Sequence, residues 1–195
     1  MPTRDALLDA ALSVFTEHTY AGSIVPIVAE RAGVAVGTMY RHFPSKQALG
    51  NAVYQRWKGM LLDRLQPPVT GMSARAEFAH MWSVLREFAT KHPEAFAFLE
   101  YQQHAAYLDE ESELLTERSN RLGAEMVARG QARGEVRAGD PNVLVALAYG
   151  AFIGLAKAAW SGLPVSEADF DAAEAAVWDL LRGPDQDSSS AIVRS

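Results

Sequence analysis

The stretch Ser23–Lys46, SIVPIVAERAGVAVGTMYRHFPSK, admits neither a strand nor one continuous helix, because Pro26, Gly33 and Pro44 punctuate it. Proline is tolerated in the first turn of a helix, where N–H groups lack intrahelical partners, so Pro26 marks a helix start. Ser23 is the residue type that caps such a start by accepting a first-turn N–H. Val25, Val28, Ala29 and Ala32 then recur at helical spacing and give one apolar face. Gly33 can take the left-handed conformation that ends a helix, and Val34 fills the corner. A second short helix is expected over Val36 to His42. It turns Met39 and Phe43 inward at i, i+4 and leaves Gly37, Thr38, Tyr40 and Arg41 towards the other side. Pro44 stops it, and Ser45 caps a third helix with Lys46 in its first turn. A helix this short is unstable alone, so its neighbours must hold it. Small, hydroxylated and basic groups on its outer face suit an element laid into a DNA groove.

Ala29-Glu30-Arg31-Ala32-Gly33-Val34, Gly37-Thr38-Met39-Tyr40, His42-Phe43 and Pro44-Ser45-Lys46 together resemble the helix-turn-helix of the TetR (tetracycline-repressor) family of bacterial transcriptional regulators. The resemblance runs from about Leu8 to Val53, and the rest of the chain is similar in architecture only. It implies an all-α fold: a three-helix DNA-binding domain over 1–48 and a helical bundle for ligand binding and dimerisation over 49–183. The function it implies is that of a ligand-responsive repressor, a homodimer on a pseudo-palindromic operator, released by a small molecule. Thr38, Tyr40 and Lys46 match family positions that contact operator phosphates, and Ser23, Val36, Gly37, Arg41 and His42 complete the candidate DNA-binding set. Hydroxyls and an ammonium at two adjacent helix starts suit a phosphate. Arg41 is the candidate for bidentate contact to guanine, with a solvated surface arginine as the plainer reading. Ala35 and Val36 depart from the family, which often has a hydroxylated cap and a polar or basic residue there. The recognition helix therefore loses a cap and a phosphate contact, and Val36 is left to meet a thymine methyl.

Charge is distributed in keeping with this. The chain carries −6 overall, which argues against a general nucleic-acid binder. Residues 1–65, with Arg4, Arg31, Arg41, Lys46, Arg56, Lys58 and Arg64 against Asp5, Asp9, Glu17, Glu30 and Asp63, carry +2, and residues 66–195 carry −8. One modestly basic head makes few phosphate contacts, so useful affinity calls for two. There are no cysteines, which excludes disulfides and thiolate metal sites. The start, Met-Pro-Thr-Arg-Asp, has no signal-peptide pattern. The uncharged run Val143–Ala156 is too short to span a bilayer and reads as a buried helix. A soluble, cytoplasmic protein without membrane contact is the expectation.

Helical periodicity continues along the chain. Thr3 caps a first helix to Thr16 with Leu7, Leu8, Ala11, Leu12 and Phe15 as its core face. The helix from Ser45 runs to Leu65, stopped by Pro67-Pro68, and carries Trp57, Met60, Leu61 and Leu65 into the body, so one helix joins reader to body. Further helices are expected over 74–90, over 93–104, from the acidic segment 109–113 to about Arg133, over 140–160 behind the Asp140-Pro141 cap, and from Ser166, with Asp169 in the capping-box position, to Gly183-Pro184. The Ser/Asp-rich end, 184–195, reads as disordered.

Within the body, Trp57, Met60, Phe78, Trp82, Tyr101, His104, Met126, Tyr149 and Phe152 are candidates to line a pocket for a small apolar or aromatic effector. An aromatic stripe at helical spacing is also what plain core looks like. The 140–160 helix is apolar on every side and must be covered on every side. This points to a dimer built on the last two helices, with Leu144, Leu147, Ala151, Phe170, Val177, Trp178 and Leu181 as candidate contacts. An enzyme is the least supported class. Glu77 and His80 have the Glu-x-x-His spacing of di-iron bundles, but the second copy that chemistry requires is missing. No Gly-rich phosphate loop or nucleophile elbow occurs, so neither a cofactor nor a metal is expected. A helical dimeric binding or scaffolding module that does not touch DNA is the alternative.

Overall fold

The computed structural model describes residues 2–66 and 71–183. The Pro67-Pro68 stop and the 184–195 tail lie outside them. The described residues form α1 (Pro2–Gly22), α2 (Val25–Arg31), α3 (Val36–His42), α4 (Lys46–Leu65), α5 (Ala74–Lys91), α6 (Pro93–Tyr101), α7 (Glu110–Ala132), α8 (Pro141–Trp160) and α9 (Glu167–Leu181). Among the described residues the all-α expectation holds, with an isolated bridge between Val136 and Arg182. The chain falls into two compact units, one of residues up to Leu65 with Leu85–Ser119, the other of Gln66–Val84 with residues from Asn120 onward.

In the first unit α1 packs on α2, α4 and α6, α2 on α3, and α4 on α6. Leu7, Leu8, Ala11, Leu12 and Phe15 are all buried, as their spacing requires, and the Phe15 ring stacks 6.1 Å from that of Phe98. The first helix runs past its expected end at Thr16 and begins ahead of Thr3, which is therefore no cap. It bends at Thr19 (φ 60°, ψ 161°), a positive φ in a β-branched residue. Such a conformation costs about 1–3 kcal/mol and persists only where its surroundings hold it. The Thr19 carbonyl accepts the Ser23 N–H and its hydroxyl accepts the Gly22 N–H, closing the corner locally. The bend brings Tyr20 flat against Tyr107, centroids 3.7 Å apart. Gly50 of α4 makes room for this stack, since a Cβ there would lie 2.8 Å from Tyr20 and 3.0 Å from Tyr107.

The second unit is built on aromatic contact. Phe78 lies 5.8 Å from Trp82 and 5.7 Å from Trp178, and Phe152 lies 5.1 Å from Trp82 and 6.1 Å from Phe170. Asp140 caps α8 by accepting the Asn142 N–H, and Ser166 and Asp169 form the expected reciprocal capping box on α9. Glu77 is buried and takes Arg129 at 2.6 Å and Arg133 at 3.7 Å, whereas the His80 ring nitrogen bonds the Gln66 carbonyl.

Helix α8 corrects the sequence reading. Over Pro141–Trp160 it is long and apolar enough to cross a membrane by length and composition, and only 17% of its most apolar window is buried within the chain. Leu144, Phe152 and Ala156 face inward, whereas Val143 and Leu147 are 56% and 52% exposed. The chain's own neighbours cover one side of the helix only.

Candidate nucleic-acid interface and interior polar sites

The turn between α2 and α3 follows the residues that were expected to make it. Gly33 has φ +68°, and the Val34 N–H bonds the Ala29 carbonyl. Met39 and Phe43 are buried to 0% and 3% exposure, which holds α3 in place from within. Val36, Gly37, Tyr40, Arg41 and His42 are exposed, and Thr38 is half-buried. The Arg41 guanidinium donates to the Thr38 hydroxyl at 3.1 Å, so hydroxyl and cation sit together on the outer face. Ala35 precedes α3 without a side-chain cap, as its methyl dictates. That leaves first-turn N–H groups of α3 without a side-chain acceptor. Arg31 forks onto Glu17 of α1 at 2.5 and 2.8 Å, tying α2 to the first helix and drawing the Glu17 carboxyl below its ordinary range.

Ser23 sits differently from its reading, and Lys46 has partners inside the chain. Ser23 is buried, and its hydroxyl donates back to the Tyr20 carbonyl rather than capping α2, which starts behind Ile24 without a side-chain cap. Thr19's bend turns this residue inward. Lys46 is half-buried, and its ammonium donates to the carbonyls of Ser23 at 2.8 Å and Ala21 at 3.4 Å, 4.5 Å from the centre of the Tyr20 ring. It therefore closes the C-terminal end of α1, where a cation is favoured. Burial lowers its pKa. An ammonium has three donors, so these two bonds leave one for an oxygen outside. Ser45 caps α4 as expected, accepting the Ala48 N–H.

Behind this face lies a polar network that periodicity does not reveal. Asn51, buried, donates to the carbonyls of Gln47 and Tyr107 and accepts from the Asp109 N–H and the Ser112 hydroxyl. All its polar capacity is used to hold the α6–α7 connection on α4. His104 is buried between the Phe98 carbonyl on Nε2 (2.7 Å) and the Tyr107 hydroxyl on Nδ1 (2.5 Å). A carbonyl only accepts, so Nε2 carries the proton and Nδ1 accepts from Tyr107. Burial pushes the His104 pKa down and that of Tyr107 up. The only sequence signal for this network was polar residues at positions of a helix that should be apolar.

The nine pocket candidates divide between the two units. Trp57, Met60, Tyr101 and His104 belong to the first unit and Phe78, Trp82, Met126, Tyr149 and Phe152 to the second. Trp57 is buried against Phe88 and His92, whereas Met60 is 37% exposed. Tyr101 sits edge-on to Phe96, its hydroxyl pKa pushed up to about 12 mainly by burial. Phe78, Trp82, Met126 and Phe152 are buried, and Tyr149 is half-buried. Among the candidate dimer contacts, Leu144, Val177 and Leu181 are buried within the chain itself. Phe170 and Trp178 belong to the aromatic cluster. Leu147 and Ala151 are exposed.

Residues 60–183 match the family model described as tetracyclin repressor-like, C-terminal domain, and residues 7–53 match that of the bacterial regulatory proteins, tetR family. The chain belongs to the tetR family. The chain is similar to the HTH-type transcriptional regulator UidR of Escherichia coli K12, 31% identical over 71 residues and 36% of each chain. It is also similar to the HTH-type transcriptional repressor KstR of Mycolicibacterium smegmatis, 51% identical over 43 residues, 22% of this chain and 21% of that one. The chain thus spans about a third or less of the length of these curated relatives. A tetR-family transcription regulator from Marinobacter aquaeolei VT8 shares the fold with a TM-score of 0.81 at 20% identity, over 94% of this chain and 97% of that one. A protein of unknown function from Rhodococcus sp. RHA1 shares it at 0.72 and 27% identity, over 92% and 95%.

Proposed function

We propose that this tetR-family chain is a DNA-binding transcriptional repressor that binds a pseudo-palindromic operator as a homodimer and is released by a small apolar or aromatic effector held in its helical body. The observation that carries the reading is α3, anchored from within by Met39 and Phe43 while Val36, Gly37, Thr38, Tyr40, Arg41 and His42 face out. Thr38, Tyr40 and the free donor of Lys46 meet phosphates, and Arg41 reads a base edge. Ser23 acts from behind, by lending its carbonyl to Lys46.

The dimer forms on the uncovered side of α8. Val143, Leu147, Gly150, Ala151 and Gly154 fall at helical spacing on exposed positions, with Leu180 of α9 exposed as well. An apolar stripe of this kind is expected to be covered by a partner, and small residues let two helices approach closely. A two-fold axis through it makes the pair of heads available to two half-sites about 34–36 Å apart. The chain works without a cofactor in the cytoplasm.

An electrophoretic shift with DNA flanking the gene tests the reading: a salt-sensitive, saturable complex weakened by Tyr40→Phe with Lys46→Ala is the expected result. No complex with any flanking fragment would favour a helical dimeric binding module that does not touch DNA.

A further inference from the structure

Lys58 of α4 and Glu100 of α6 are opposed inside the first unit, each side chain 10% exposed, with the ammonium nitrogen 3.8 Å from the nearer carboxylate oxygen. That distance is too long for a direct hydrogen bond. The facing oxygen of Glu100 is buried with no hydrogen-bond partner, and so is the indole N–H of the adjacent Trp57. A buried pair is stable only when its remaining donors and acceptors are satisfied, so this geometry is incomplete as it stands. The polar neighbours do not complete it. His104 spends both ring nitrogens on Phe98 and Tyr107, and the Tyr54 hydroxyl bonds Thr116 at 2.7 Å. Glu100 directly follows a buried apolar run, Ala95 to Leu99.

An oxygen about 2.8 Å from each atom closes a 3.8 Å gap. It must accept from the Lys58 ammonium and donate to the Glu100 carboxylate, which a hydroxyl does with its single proton and its lone pairs. A carboxylate head would suit Lys58 but set a second negative charge against Glu100, and an amine would do the reverse against Lys58. We propose that the Lys58–Glu100 pair is the polar anchor of an effector site, and that the effector it takes is an apolar molecule bearing a neutral hydroxyl, an alcohol or a phenol. This deepens the ligand-responsive reading above and rests on it.

The test titrates three matched probes, 2-naphthol, 2-naphthoate and (2-naphthyl)methylamine, into the full chain by calorimetry near neutral pH. Wild type binds the naphthol at least about tenfold more tightly than either ion, the discrimination a buried like-charge contact supplies. Glu100→Gln, which keeps the shape, moves the preference to the naphthoate, and Lys58→Met moves it to the amine. A pair with a purely structural role would lower stability in these variants without reordering the probes. Lys58→Met with Glu100→Leu, an apolar replacement that such sites tolerate, keeps the fold and loses the naphthol preference.

Ions bound as tightly as the naphthol, no probe bound at all, or an unchanged order in the variants would each overturn the proposal. A parallel shift assay separates the two readings. Naphthol bound selectively without releasing DNA supports the anchor and contradicts the ligand-responsive function. Naphthol releasing DNA equally from wild type and all variants supports that function and overturns the anchor.

Discussion

Replacing Gly50 by alanine tests whether the Tyr20–Tyr107 stack is what joins the end of α1 to the rest of the first unit. A Cβ at Gly50 meets Tyr20 at 2.8 Å and Tyr107 at 3.0 Å, whereas one at Gly59, on the same helix, has no neighbour within 4 Å. Both substitutions gain about 1 kcal/mol of helix propensity, which therefore cancels between them. What remains is the overpacking at Gly50, about 1–3 kcal/mol. A further loss of about 0.5–1.5 kcal/mol follows if the rings separate. Gly59→Ala should thus melt above wild type. Gly50→Ala should melt lower than Gly59→Ala by roughly 2–4 °C per kcal/mol, the scale for a chain of this size. The measurement is paired thermal and urea unfolding of the three proteins. Adding Tyr20→Leu to Gly50→Ala removes the closer of the two contacts, so the double variant should be more stable than the sum of its parts. Because Lys46 lies over the Tyr20 ring, Gly50→Ala should also weaken DNA binding where Gly59→Ala does not. Equal melting of the two alanine variants would show that the rings yield freely and that the stack transmits nothing.

Arg41→Ala should relax discrimination at one operator position by about 1–3 kcal/mol, read by competition among operators substituted one base pair at a time. Leu147→Glu, at a site 52% exposed in the chain, should leave each chain folded but give monomers in sedimentation and no cooperative operator complex; a normal dimer would move the interface off α8. Burial lowers the His104 pKa below its ordinary 6.5, so below about pH 6.5 the unfolded chain takes up a proton that the folded one does not. His104's share of stability is therefore complete above that pH and is lost as pH falls through the lowered value. Urea unfolding from about pH 5 to 8 should show that slope, and His104→Gln should flatten it.

The all-α fold, the Gly33 corner and the inward Met39 and Phe43 were legible in the sequence because each depends on neighbours within one or two turns. Proline, glycine and a 3.6-residue period act locally, and caps such as Ser45, Asp140 and Ser166–Asp169 work through bonds to N–H groups two or three residues on. The outward set on α3 followed from the same period. Ser23 escaped this logic because Thr19's unusual backbone turned it inward, and no propensity forecasts a positive φ at a threonine. Lys46 was recognised as important, but its hold on the end of α1 depends on two carbonyls more than twenty positions away.

Only tertiary packing decided which apolar side chains of α8 and α9 face the chain's own core. Composition marked the whole of α8 as apolar; the neighbours that α8 finds in the fold determine that Leu144 is inside and Leu147 outside. Likewise a buried Lys58 opposite Glu100, or an Asn51 that satisfies four partners from three segments, is a product of contact between helices. A sequence specifies the faces of its helices by period, but the partner of each face, and hence the chemistry between them, exists only once the helices are packed.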